Sequence, residues 1–226
     1  MTASALVTIA ETWYVGYLGT MSLAGIALVF PCIMLQQMLS AGSMGGGISS
    51  AVSRALGAND LGKANALVLH AALICLGMGL FFTFVFIVWG EPIFRLLGGQ
   101  GEALAQSLAY ANVAFWGAAS IWLTNGFASV IRGSGNMKTP SLVLLIACVA
   151  QVTLSGVLGL GWGPIPSFGM AGIAMGYVIA FSASTLYLFA YLRSSRSMLR
   201  LSFKSPLSKP LFMDILKVGA MSSLST

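Results

Sequence analysis

Six long apolar runs, near residues 3–18, 23–48, 66–89, 104–128, 140–159 and 169–192, determine which solvent this chain folds in. Each approaches the ~20 residues that carry a helix across ~30 Å of hydrocarbon. A seventh begins near Leu211. Of the 11 lysines and arginines, all but Arg95 fall in alternate gaps between the runs. Arg54 and Lys63 follow the second run, Arg132 and Lys138 the fourth, and Arg193, Arg196, Arg200, Lys204, Lys209 and Lys217 the sixth. The opposite gaps hold Glu91, Arg95, Glu102 and the uncharged stretch from Gly159 to Gly169. Basic residues are retained on the cytoplasmic side of a membrane, so the pattern predicts cytoplasmic basic gaps and a cytoplasmic amino terminus.

Only 7% of the residues are charged, against about 25% in an average soluble domain. Backbone polar groups must be satisfied internally in lipid, which leaves helices or a closed barrel, and continuous apolar runs exclude the alternating strands of a barrel. The expected fold is an all-α membrane protein. It comprises a six-helix transmembrane bundle over residues 1–192, a basic cytoplasmic linker at 193–210 and the start of a seventh helix at 211–226. The first run is short, roughly 27 Å from Met1 to Leu18 at ~1.5 Å per residue, as for a helix entered part-way along.

The net charge of +6 is spread over separate loops without interleaved aromatic residues, which argues against nucleic acid as a partner. Membrane lipid is the expected surrounding. Cys32, Cys75 and Cys148 occupy different runs with no CxxC spacing, and His70 has no companion at ligand spacing, so neither a metal nor a cofactor is expected. Gly133-Ser134-Gly135 lacks the spacing of a hydrolase elbow. No paired acids or nucleophile with a nearby base indicate an enzyme.

Small residues at Gly42, Gly46 and Ser50, and at Gly172, Gly176, Ala180 and Ser184, recur every four positions, the spacing that lets helices pack closely in lipid. The Gly- and Pro-rich stretch from Gly159 to Pro166 predicts a tight outer loop with Trp162 at the interface. Arg196, Arg200 and Lys204, interleaved with Met198, Leu199, Leu201 and Phe203, predict either a short interfacial helix or an ordinary basic connector.

Glu11 is the acidic residue inside a predicted span. An ionised carboxylate at mid-membrane costs roughly 2.5–3.5 kcal/mol on insertion scales, so something must compensate it. It can hold a proton in one phase of a cycle and release it when water or a cation arrives, or it can snorkel towards the headgroups. Gln36, Gln37, Asn112, Gln151 and Ser155 also lie near span centres. With Tyr110, Trp116 and Trp122 they predict a wet cavity with aromatic walls for a lipophilic small molecule. The candidate site is therefore Glu11 for ion coupling, with Gln36, Asn112, Trp116, Gln151 and Ser155 lining the cavity.

The segment Glu11-Thr12-Trp13-Tyr14-Val15-Gly16-Tyr17-Leu18-Gly19-Thr20, followed by Leu23-Ala24-Gly25 and Phe30-Pro31, resembles the multidrug and toxic compound extrusion (MATE) family. The resemblance continues at Ser53–Asp60, at Arg132–Pro140 and at Gly169–Ala174, in order along essentially the whole chain. It implies one six-helix lobe of a two-lobed antiporter in the cell membrane, whose partner is a second, C-terminal lobe. It also implies export of organic, often cationic, compounds against protons or sodium. Glu11 aligns with a first-helix Asp that the family uses in coupling. The family's fifth-helix pattern of Asn followed four residues later by Asp is here Gln151 and Ser155, a departure that removes one carboxylate and favours protons over sodium. A lipid-linked sugar flippase of the wider superfamily, or a fragment that does not transport, are the alternatives.

Overall fold

The computed structural model describes residues 2–162, 164–202 and 207–224, and every regular element among them is helical. The helices are α1 (Thr2–Leu18), α2 (Thr20–Gln37), α3 (Met44–Gly57), α4 (Leu61–Leu96), α5 (Gly101–Trp116), α6 (Ala118–Gly133), α7 (Lys138–Leu160), α8 (Gly169–Arg193) and α9 (Lys209–Leu224). Between α2 and α3, Met38–Ser43 form a wider π-helical segment without breaking the chain's helical path. Among the described residues, four stretches are long and apolar enough to cross a membrane: Thr20–Gly57, Leu61–Leu96, Lys138–Leu160 and Gly169–Arg193.

The helices differ from the six expected spans in ways that local chemistry explains. A single residue, Gly19, separates α1 from α2, and its φ of +114° is a conformation that side chains resist. The expected fourth span is divided at Gly117 into α5 and α6. The third extends to 36 residues, about 54 Å at ~1.5 Å per residue, well beyond the hydrocarbon. Its start is fixed by Asp60, whose carboxylate Oδ1 accepts the Lys63 backbone N–H at 2.8 Å as an N-cap.

The chain divides into two compact units. The first comprises residues 1–35, 80–118 and 144–183. Its core includes Val15, Val29, Phe94 and the stacked rings of Phe86 and Phe115, whose centroids are 3.8 Å apart. After α7 the chain folds back, with Phe168 N–H donating to Leu158 O at 3.0 Å and Ser167 Oγ to Gly159 O at 2.9 Å, so carbonyls at the helix end are satisfied. Gly163, part of the expected loop, lies outside the described residues.

The second unit comprises residues 36–79, 119–143 and 184–226. It buries Ile48, Val52, Leu67, Trp122, Ile131, Leu188 and Ile215. Here α3 meets α9 closely, since a Cβ on Gly47 would lie 2.6 Å from Ile215 O and 2.9 Å from Gly219 N. The stripe expected to pack, Gly42 and Gly46, instead faces open space, with nothing within 4 Å of either added Cβ. The extra residue accommodated by the π segment changes the helical register, and Gly45 and Gly47 make the close approaches.

An interfacial helix at 196–204 does not form over the described part of that range: residues 194–202 run as turns and bends. Leu199 and Leu201 are both buried, which positions two apart on one helix face cannot achieve. The backbone is spent on tertiary partners instead, Arg200 N–H donating to Asn65 Oδ1 at 2.7 Å and Leu201 N–H to Leu192 O at 3.1 Å. Phe203, Lys204 and Pro206, also part of that reading, lie outside the described residues, as do Ser225 and Thr226 of the expected seventh span.

Candidate functional site

Glu11 lies near the middle of α1, in the first unit. Its Oε1 accepts a hydrogen bond from Gln151 Nε2 at 2.7 Å and faces Ser155 Oγ at 3.4 Å. Gln151 and Ser155 are four residues apart on α7 and therefore share one helix face. A serine hydroxyl carries one proton, and the shorter bond of Ser155 Oγ, 2.9 Å, goes to Ile173 O of α8. The amide of Gln151 is thus the principal donor to the carboxylate. Both contacts fall on Oε1, which leaves Oε2 as the oxygen that can carry a proton without disturbing either.

Three close approaches position these groups. Gly176 of α8 lies against Ser155, where an added Cβ would come within 2.7 Å of Ser155 Cα. Gly172 lies against the backbone at Leu158 in the same way, so the small-residue face of α8 at these two positions is a packing surface. Tyr14, one turn beyond Glu11, is buried over Gly156, whose added Cβ would lie 2.9 Å from Tyr14 Cζ. Its ring meets Trp162 edge-on with centroids 6.1 Å apart. On the neighbouring helices of this unit the phenol of Tyr110 is buried, and the thiol of Cys148 is half-buried.

Of the expected site residues, Glu11, Gln151 and Ser155 come together. Asn112 is exposed, as is Trp116, with 72% of its surface accessible. Gln36 belongs to the second unit, where it is buried and its Nε2 meets no acceptor among the described residues.

Sequence reasoning missed a polar cluster in the second unit. Asn125 of α6 donates through Nδ2 to Ser40 Oγ at 2.8 Å and to Gln37 Oε1 at 3.2 Å. Ser129 Oγ donates to Asn125 O at 2.8 Å, and Arg132 Nη2 donates to Ser129 Oγ at 2.9 Å. The signal was present, because residues 125, 129 and 132 follow the four-then-three spacing of a single helix face. His70, weighed in the sequence only as a metal ligand, has contacts that were not foreseen. It is fully buried, with Nδ1 2.8 Å from Ala66 O and Nε2 accepting the Ser208 backbone N–H at 3.0 Å. A backbone N–H can only donate, so Nε2 is the acceptor and Nδ1 carries the proton.

The MatE family model matches residues 1–157. The chain belongs to the MatE family. It is a family of transporters rather than enzymes, and with its apolar helices the chain is an integral membrane protein. Among its curated relatives, the probable multidrug resistance protein YoeA of Bacillus subtilis (strain 168) is 27% identical over 215 residues, 92% of this chain and 46% of YoeA. The multidrug export protein MepA of Staphylococcus aureus (strain NCTC 8325 / PS 47) is 26% identical over 225 residues, 96% of this chain and 47% of MepA. A solved MOP superfamily transporter from Pyrococcus furiosus superposes with a TM-score of 0.90 at 28% identity, covering 100% of this chain and 49% of that one. The chain spans about half the length of the curated relatives it matches.

Proposed function

We propose that this chain is one lobe of a secondary transporter that exports organic, often cationic, compounds by antiport, with Glu11 as the group that takes up and releases the coupling ion. The observation that carries this reading is the character of Glu11's partners. Among the described residues they are an amide and a hydroxyl, both neutral, and no lysine or arginine forms an ion pair with it. A carboxylate so placed within a membrane helix has its charge uncompensated, and either a proton or a bound cation restores neutrality. With Gln151 and Ser155 in place of a second acid, the site offers a single carboxylate, which favours a proton over sodium.

Relatives named for multidrug resistance and multidrug export support the substrate class, and do not favour the sugar-flippase alternative. The half-length coverage supports a second lobe as partner, with alternating access between the two. The basic gaps support placement in the cell membrane with a cytoplasmic amino terminus. Gln36, Asn112 and Trp116 remain assigned to the substrate path.

The test is ethidium efflux from proteoliposomes containing the transporter of which this lobe is part, driven in turn by a pH gradient and a sodium gradient. Glu11→Gln keeps the side chain's size and removes its ability to carry a charge. It is expected to lower gradient-driven efflux by about a hundredfold, while Glu11→Asp retains a measurable fraction. Undiminished efflux in Glu11→Gln would remove the coupling role.

A further inference from the structure

The second unit contains an arrangement that the ion-coupling reading leaves unused. Met38–Ser43 is π-helical, and its closing bond runs from Met44 N–H to Leu39 O, one residue further back than in an α-helix. The residues on either side keep ordinary helical dihedrals, Gln37 at φ −66° and ψ −44° and Met44 at φ −71° and ψ −39°. The segment is therefore a single widened turn within a continuous helix. Such a turn disrupts the regular backbone ladder locally, and side chains that take up the displaced groups stabilise it.

One such interaction with the backbone occurs here, and two bonds between side chains hold the residues that make and flank it. Ser40 Oγ donates to Gln37 O at 3.4 Å, and Asn125 Nδ2 uses its two protons on Ser40 Oγ inside the wide turn and on Gln37 Oε1 just before it. Asn125 and Ser40 are both buried, so these bonds compete little with water. The Asn125 backbone is in turn tied to Ser129, and Ser129 to Arg132. Across the end of the turn and just beyond it the helix is asymmetric. Gly45 abuts Ser129 and Gly47 abuts α9, while Gly42 and Gly46 face open space. One face is clamped, and on the other no described protein atom lies within 4 Å of a Cβ added at Gly42 or Gly46.

We propose that Asn125 is a positioning residue: its amide pins the wide turn at Met38–Ser43, and release and recapture of that turn is how the helix running from α2 into α3 bends. The role of that bend in transport rests on the transporter reading above; the pinning does not.

The experiment is ¹⁹F NMR of the full chain in lipid nanodiscs, with Ala41→Cys carrying a trifluoromethyl label. Ala41 is exposed within the turn, and all samples also carry Cys32→Ala and Cys148→Ala, leaving the buried Cys75. The reference protein is expected to give a major pinned resonance and a minor released one. Asn125→Leu, which removes both donated bonds at similar volume, is expected to raise the released-to-pinned ratio by about tenfold or more, while the helix content stays the same and the melting temperature falls by only a few degrees. Asn125→Gln, which keeps the donor, is expected to restore most of the reference ratio. Ser40→Ala, a milder change, is expected to shift the ratio in the same direction. Identical spectra for the reference, Asn125→Leu and Ser40→Ala would overturn the proposal. So would a shift in Asn125→Leu accompanied by general loss of helix, with Ser40→Ala unchanged. Failure of the transporter reading registers separately, as absent ethidium efflux in the wild type while the ¹⁹F ratio still responds to Asn125.

Discussion

Gly176→Ala adds one methyl group where α8 meets α7, and its consequence follows from two distances. The new Cβ would lie 2.5 Å from Ser155 Oγ and 2.7 Å from Ser155 Cα, and the Ser155 backbone nitrogen is also in its path. Carbon atoms rest comfortably at about 3.5–4.0 Å, so α8 must withdraw by roughly 0.8 Å or more, because helix backbone, unlike a flexible side-chain tip, cannot turn aside. Overpacking of this kind costs about 1–3 kcal/mol. Withdrawal also stretches the 2.9 Å bond from Ser155 Oγ to Ile173 O, worth about 1 kcal/mol.

Alanine gains about 1 kcal/mol over glycine in a helix interior, which would obscure the loss if the variant were compared with the wild type alone. Gly77→Ala in α4 supplies the correction, because nothing lies within 4 Å of its added Cβ and it receives the same propensity gain. The difference between the two variants is then about 2–4 kcal/mol, or roughly 4–16 °C in melting temperature for a chain of this length. Thermal unfolding in detergent, followed by tryptophan fluorescence, reads that difference directly. If Gly176→Ala melts together with Gly77→Ala, the close approach of α8 to Ser155 is wrong, and with it the account of how Ser155 is held beside Glu11.

Two further outcomes are expected. His70→Leu leaves the Ser208 N–H without its acceptor, at about 1–3 kcal/mol, so protease cleavage between Arg193 and Lys209 should accelerate by tenfold or more; an unchanged rate would mean that His70 does not tether the connector. Asp60→Ala removes the N-cap of α4 at about 1 kcal/mol whereas Asp60→Asn keeps it, and equal melting temperatures for the two variants would show that the cap contributes nothing.

Glu11 is conspicuous in the sequence because a carboxylate in an apolar run has few inexpensive fates, and Gln151 with Ser155 at a spacing of four necessarily shares a helix face. That much of the site was legible. Asn112 and Trp116 also share a face by spacing; it is the exposed face of α5, with Ala111, Ala114 and Phe115 buried, and the residue types do not tell a face turned to a substrate path from one turned to lipid. In water a buried face is marked by its contrast with a polar one. In lipid the outer face is as apolar as the core, so the contrast that would orient a helix is largely absent.

What orients these helices instead is fine geometry that residue types encode only weakly. Gly42 and Gly46 have the spacing of a packing stripe, yet the wide turn at Met38–Ser43 brings Gly45 and Gly47 to the contacts. A π turn needs one extra residue and leaves hydropathy unchanged, so no periodicity argument registers it. Its trace lies in the partners it requires, Ser40 within the turn and Asn125 on a helix 85 residues away in sequence. The same holds for Leu199 and Leu201, whose common burial demands an irregular backbone that Asn65 and Leu192 then satisfy. In this chain a polar residue in an apolar run locates a constraint. The identity of its partner is decided by which helices meet, and that depends on single-residue changes of register.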